Sequence, residues 1–196
     1  MHIALPLAIT ATLLPTMALA QAAGEPHSFS VTGQVPGGCV LGAPSLAAGA
    51  LVNFRGLNGT TLQIDQIVDT ENLSTSPASA EISLDANCSF PHTLRVESQN
   101  NGLWRTSERT AAAPEGFADA IPYHAAVHWA SENLTFSADA RSRRVTDGTI
   151  FVNHTATGAV LIRLDVDAGA TNARANAPLV AGVYGDTLRI TLEPQQ

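Results

Sequence analysis

AVLIRLDVD, residues 159–167, alternates without a break: Val160, Ile162, Leu164 and Val166 occupy one parity, while Arg163 and Asp165 occupy the other. Successive side chains of a strand point to opposite faces, so a stretch with this pattern is a β-strand buried on one side. The same period appears in IPYHAAVHW (121–129), with Ile121, Tyr123, Ala125, Val127 and Trp129 inward. SAEISLDANCSF (79–90) sets Ile82, Leu84 and Cys88 in phase, and TLRVES adds Leu94 and Val96. LTFSA (134–138), TIFVN (149–153), TTLQIDQIV with Leu62 and Ile64, and the short LVNFRG (51–56) complete the interior of the chain. The final strand places Leu188, Ile190 and Leu192 opposite Thr187, Arg189 and Thr191. Asn100-Asn101-Gly102 reads as a turn, and 108–120 and 171–178 read as loops. Helical periodicity is absent beyond the first residues. Short strands separated by turns predict an all-β sandwich or barrel, with the sandwich favoured by one long-range bridge between early and middle strands.

The opening MHIALPLAITATLLPTMALA is apolar and ends on Ala18-Leu19-Ala20, the small-x-small pattern of a signal peptidase site. Pro6 and Pro15 break it too often for a membrane span of about 20 residues. Residues 1–20 are therefore expected to be a cleaved signal peptide on an exported chain with no direct membrane insertion. About 176 residues remain, enough for one domain with a sizeable core.

The net charge is −7, and the arginines are scattered apart from Arg141, Arg143 and Arg144, which argues against a nucleic-acid footprint. All ten basic side chains are arginine. Without a lysine amine, Schiff-base chemistry and side-chain isopeptide crosslinks are excluded. Cys39 and Cys88 are the only cysteines, and in an exported protein they are expected to form a disulfide. No third cysteine and no suitably spaced histidine suggests a metal site. His124 and His128 share an outward face but lie about 13 Å apart along a strand, too far for one ion. They read as exposed histidines. No nucleophile elbow, zinc, EF-hand or phosphate-loop motif is present, so no catalytic residue, metal or cofactor is expected. The Asn-x-Ser/Thr triplets at Asn58, Asn72, Asn87, Asn133 and Asn153 occur in a chain rich in small polar residues and carry no functional weight.

Several elements together resemble a known family. VTGQV (31–35) followed by GGCVLG (37–42), VNFRG (52–56), ISLDANCSF (82–90), IPYHAAV (121–127) and AGVYGDTLRITL (181–192) are similar, in order and spacing, to the subunits of archaic chaperone–usher pili, which share the spore coat protein U domain. The resemblance covers roughly residues 29–192. It implies an incomplete immunoglobulin-like sandwich over 36–196 that lacks one strand. A periplasmic chaperone would fill the gap first; at the outer-membrane usher, a neighbouring subunit's N-terminal extension would replace it. In this chain the extension is 21–35, with Phe29, Val31, Gly33 and Val35 as the donor positions; Leu188, Ile190 and Leu192 line the acceptor groove. Residues 29–35 also fit the first strand of the chain's own sandwich. The implied role is a fimbrial subunit at the cell surface, serving adhesion and biofilm formation. A coat-type protein and a tip adhesin are the alternatives. The adhesin would use Trp104, Trp129 and Tyr123, but the last two share the core parity of their strand.

Overall fold

The computed structural model describes residues 30–106 and 113–195, with the side chains of 48–50 excepted. Phe29 and the expected signal peptide, 1–20, lie outside the described residues. The chain divides into two units, 1–35 and 36–196. Of the first, residues 30–35 carry no strand, and Val31 and Val35 are exposed.

The second unit is all-β and antiparallel in its strand pairings, and among the described residues it contains no helix. None is therefore long and apolar enough to cross a membrane. Its largest sheet takes β1 (Cys39–Val52), β4 (Ala78–Cys88), β11 (Ala156–Val166), β8 (Tyr123–Trp129) and β9 (Glu132–Ala138), in the order β1-β4-β11-β8-β9. A second sheet takes β10 (Thr146–Val152), β5 (His92–Ser98) and β13 (Leu188–Pro194), in the order β10-β5-β13. Smaller pairings join β2 (Phe54–Asn58) to β3 (Thr61–Ile64), and β6 (Leu103–Arg105) to both β7 (Ala120–Ile121) and β12 (Tyr184–Gly185). The end of the expected 108–120 loop is thus partly ordered: Ala118 bridges Leu179 and Ala120 pairs with Trp104.

The two larger sheets close on one core. Leu84 and Ala86 of β4, Val127 and Trp129 of β8, and Val160 and Ile162 of β11 pack with Leu94 and Val96 of β5 and Ile150 and Val152 of β10. Leu84, Leu94, Val96, Val127, Trp129, Val160 and Ile162 are among the residues whose period-two spacing marks them as inward. β11 is held in unbroken register against β4, from Ala156 opposite Cys88 to Val166 opposite Ala78. A one-residue slip would turn its whole apolar set outward, which fixes that register. A second cluster around Ile121, Tyr123, Phe136 and Leu179 fills the other end of the domain.

Turn chemistry sets the ends of the strands. Asn101 (φ 57°) and Gly102 (φ 140°) form the turn after β5. A Cβ on Gly102 would stand 2.7 Å from that of Ala140, so both the backbone and the space require glycine there.

Candidate strand-binding groove

β13 pairs with β5 alone among the described residues, and β1 pairs with β4 alone. Both are edge strands, and they run close to each other at one open side of the core. The consequence shows in burial. Leu94 and Val96 on β5 are fully buried, whereas their register partners Leu192 and Ile190 on β13 are only half-buried, as is Leu188. Leu41 of β1 and Ile82 of β4 are also half-buried against the same core cluster. The structure thus places the three predicted groove residues together along an apolar rim.

Backbone parity completes the geometry. Gln99 N–H donates to the Thr187 carbonyl (3.0 Å) and Gln195 N–H to that of Pro91 (3.2 Å), at opposite ends of the β5–β13 register. Antiparallel bonding alternates along a strand, so odd-numbered residues of β13 bond to β5. Leu188, Ile190 and Leu192 therefore direct their N–H and C=O groups away from β5, and their side chains towards the core. The same residues offer apolar side chains and backbone groups that no other strand among the described residues pairs. Pro194 shares this parity, where a missing N–H interrupts no bond to β5.

Both ends of this strand are pinned. At its start, Asp186 accepts hydrogen bonds from Tyr123 Oη (2.7 Å), Ser98 Oγ, Asn100 N–H (2.9 Å) and Thr187 N–H (2.7 Å). Burial, the largest cause, pushes the Tyr123 phenol well above its ordinary pKa, and the nearby Asp186 charge adds to the shift. The motif-bearing Tyr184 closes the neighbouring corner. Its hydroxyl donates to the Val180 carbonyl (2.6 Å), and burial pushes its pKa up to about 12. At the far end, Gln195 Nε2 donates to the His92 carbonyl at 3.1 Å.

His92 itself is fully buried. The Trp129 indole N–H donates to its Nε2 (2.8 Å), which leaves Nδ1 as the protonated nitrogen facing the Phe90 carbonyl (2.8 Å). The sequence shows no third cysteine and no histidine pair near the cysteines. In the fold His92 reaches them: its ring and the two sulfurs lie within 4.8 Å of one another. It is nevertheless no metal ligand here. Both ring nitrogens are engaged, and Cys39 and Cys88 are joined in a disulfide with S–S 2.06 Å. The bridge ties β1 to β4 at directly opposed positions. Just before it, Gly38 N–H donates to Ser89 Oγ (3.0 Å), and Gly37 sits where a Cβ would meet the Phe90 ring at 2.7 Å.

The remaining candidates are dispersed. His124 and His128 are exposed on the outer face of β8; His124 lies 3.5 Å from Asp167, and His128 Nδ1 lies 3.0 Å from Asn133 Oδ1. Tyr123 and Trp129 are core residues, and Trp104 is half-buried with its indole N–H donating to the Asn100 carbonyl (2.7 Å). Asn101, which the sequence marks only as a turn residue, is fully buried. Its amide donates to Asp139 and to the Ser142 carbonyl (3.2 Å), and its side-chain oxygen accepts from Asp139 N–H (3.1 Å) and Thr146 Oγ1 (2.9 Å). The Asn-Asn-Gly turn was the available signal, but a turn residue gives no hint that it is also a buried hub.

The chain matches no protein-family model and no curated protein sequence.

Proposed function

We propose that this chain is a structural subunit of a surface pilus whose open groove takes up a β-strand from a neighbouring subunit. The order β1-β4-β11-β8, with β5 beside β13, corresponds to strands A-B-E-D and C-F of an immunoglobulin-like sandwich. In that arrangement the position of strand G, next to β13, is taken by no strand among the described residues. The observation that carries the reading is the outer edge of β13, where half-buried Leu188, Ile190 and Leu192 coincide with backbone groups that no other described strand pairs. An incoming strand bonds to that rail whatever its sequence, and its alternate side chains fill the apolar rim. Residues 29–35 of a second copy supply a segment as long as β13, with Phe29, Val31, Gly33 and Val35 on one face and only Ser30, Thr32 and Gln34 on the other. On this reading the chain is exported. A periplasmic chaperone holds the groove before an outer-membrane usher exchanges it for the next subunit, and the product stands at the cell surface.

Deleting residues 22–35 tests the proposal. The truncated subunit, supplied with chaperone and usher, is expected to accept a donor but not to give one. A peptide of residues 27–37 should then raise its melting temperature in a concentration-dependent way, as binding to the folded state alone requires. Normal self-polymerisation of the truncated chain, or no rise with peptide, would sink the reading. The coat-type and adhesin alternatives would then gain ground.

A further inference from the structure

Residues 141–145 form an exposed turn carrying Arg141, Arg143 and Arg144 in a chain of net charge −7. Elsewhere Arg55, Arg95 and Arg163 each have a close carboxylate: Asp65 at 2.6 Å, Asp147 at 2.9 Å and Asp165 at 3.0 Å. On this turn three arginines stand together beside one carboxylate. Among the described residues, Arg141 and Arg144 share Asp139, at 3.9 and 3.8 Å. Arg143 lies over the Trp104 ring, 5.1 Å from its centroid, and donates to the Arg105 carbonyl at 2.9 Å. The turn holds a local excess of positive charge on an otherwise acidic molecule.

It is also rigidly mounted. The buried Asn101 side chain bonds residues on both sides of the arginines, at Asp139, Ser142 and Thr146. Ala140 is fully buried at φ 55°, with its N–H donating to the Asn101 carbonyl (2.7 Å). Asp139 accepts from the Arg141 N–H (3.1 Å), and this bond, with that from Asn101, holds its carboxyl below the usual carboxylate range. Ordering costs for the backbone are therefore met in folding, and the guanidinium groups are displayed from a fixed base.

The geometry points to this turn as a docking site for an anionic polysaccharide, with carboxylate or sulfate groups engaging the arginines. Guanidinium forks present paired N–H donors to a planar carboxylate, or to two oxygens of a tetrahedral oxyanion such as sulfate, which an ammonium group cannot match. Short arginine-rich stretches recur in nucleic-acid and heparin patches, and the net negative charge of the molecule disfavours a polyanion elsewhere, which leaves the turn as the point of contact. This inference is independent of the pilus reading.

The experiment measures binding of the full chain to alginate oligosaccharides, with neutral dextran as control and a short DNA duplex as the competing macromolecule. Trp104 fluorescence, under Arg143, gives the signal. The expected result is alginate binding that weakens with added salt and falls on the order of tenfold in Arg141→Gln/Arg143→Gln/Arg144→Gln. Arg163→Gln, at a paired position, should bind as the parent does. Unchanged melting temperatures establish that each variant is folded. Absence of alginate binding, equal loss in Arg163→Gln, or tighter binding to DNA would overturn the proposal. So would a triple variant that binds alginate normally but loses self-association in sedimentation, which would make the turn a contact between copies.

Discussion

Placing proline at two adjacent positions of β13 separates the free edge from the paired one. In the alternation described above, the Thr191 N–H bonds to β5 opposite Arg95, while the Ile190 N–H faces away. Thr191→Pro removes a ladder bond and leaves an acceptor unpaired, a loss of about 1–3 kcal/mol before any steric strain. Ile190→Pro breaks no internal bond, and Pro194 already occupies the same parity in this strand. Its cost is confined to trimming a half-buried side chain, about 1 kcal/mol. Uptake of a strand reverses the ranking. Ile190→Pro withholds the central N–H of the rail and strands a carbonyl of the incoming segment, again about 1–3 kcal/mol, or roughly 5- to 150-fold in affinity. Urea denaturation of the isolated subunit and titration with the 27–37 peptide read the two effects separately. Equal destabilisation by both prolines would refute the parity argument. A folded Ile190→Pro chain that binds the peptide with parental affinity would refute the groove.

Asp186→Ala removes an acceptor of four hydrogen bonds and leaves the buried Tyr123 and Ser98 hydroxyls in need of partners; urea denaturation should show a loss of about 2–4 kcal/mol. Reduction of Cys39–Cys88, which spans 49 residues of sequence, should lower stability by up to about 4 kcal/mol on the chain-entropy estimate, read by denaturation with and without dithiothreitol. The chain has two tyrosines, and both have raised pKa values in the fold. Their raised folded-state pKa values make a contribution to stability that is complete below pH ~10 and fades as pH rises towards the folded values. Spectrophotometric titration of the native chain should therefore show little tyrosinate absorbance at pH ~10, and a full signal there from the folded chain would contradict the burial of both rings.

Much of this architecture was legible because period-two alternation reports directly on burial. Every inward residue assigned to 121–129 is buried, and Arg163 and Asp165 pair on the outside of β11 as their parity requires. The final strand marks the boundary of that method. Leu188, Ile190 and Leu192 alternate as cleanly as Val160 and Ile162, yet they are half-buried, because alternation records which face is apolar and not whether a neighbouring strand covers the edge. Phe151 shows the converse: it stands 64% exposed between buried Ile150 and Val152, an apolar residue on the polar parity. His92 and Asn101 were invisible for a different reason. Their roles arise from contacts with Trp129, 37 residues away, and Asp139, 38 residues away, which no local pattern encodes.

The pinning of β13 has a kinetic side. With its start held by Asp186, its end by Gln195 and one edge by β5, the strand is kept extended by contacts within the domain. Its loss of conformational freedom occurs when the domain folds, so on the proposed reading the ordering cost of docking would fall on the arriving segment. The speed of capture should then follow the stiffness and β-preference of that segment, while the acceptor acts as a constant template. Among chains that share this groove, competition would be decided by the sequence of the visitor.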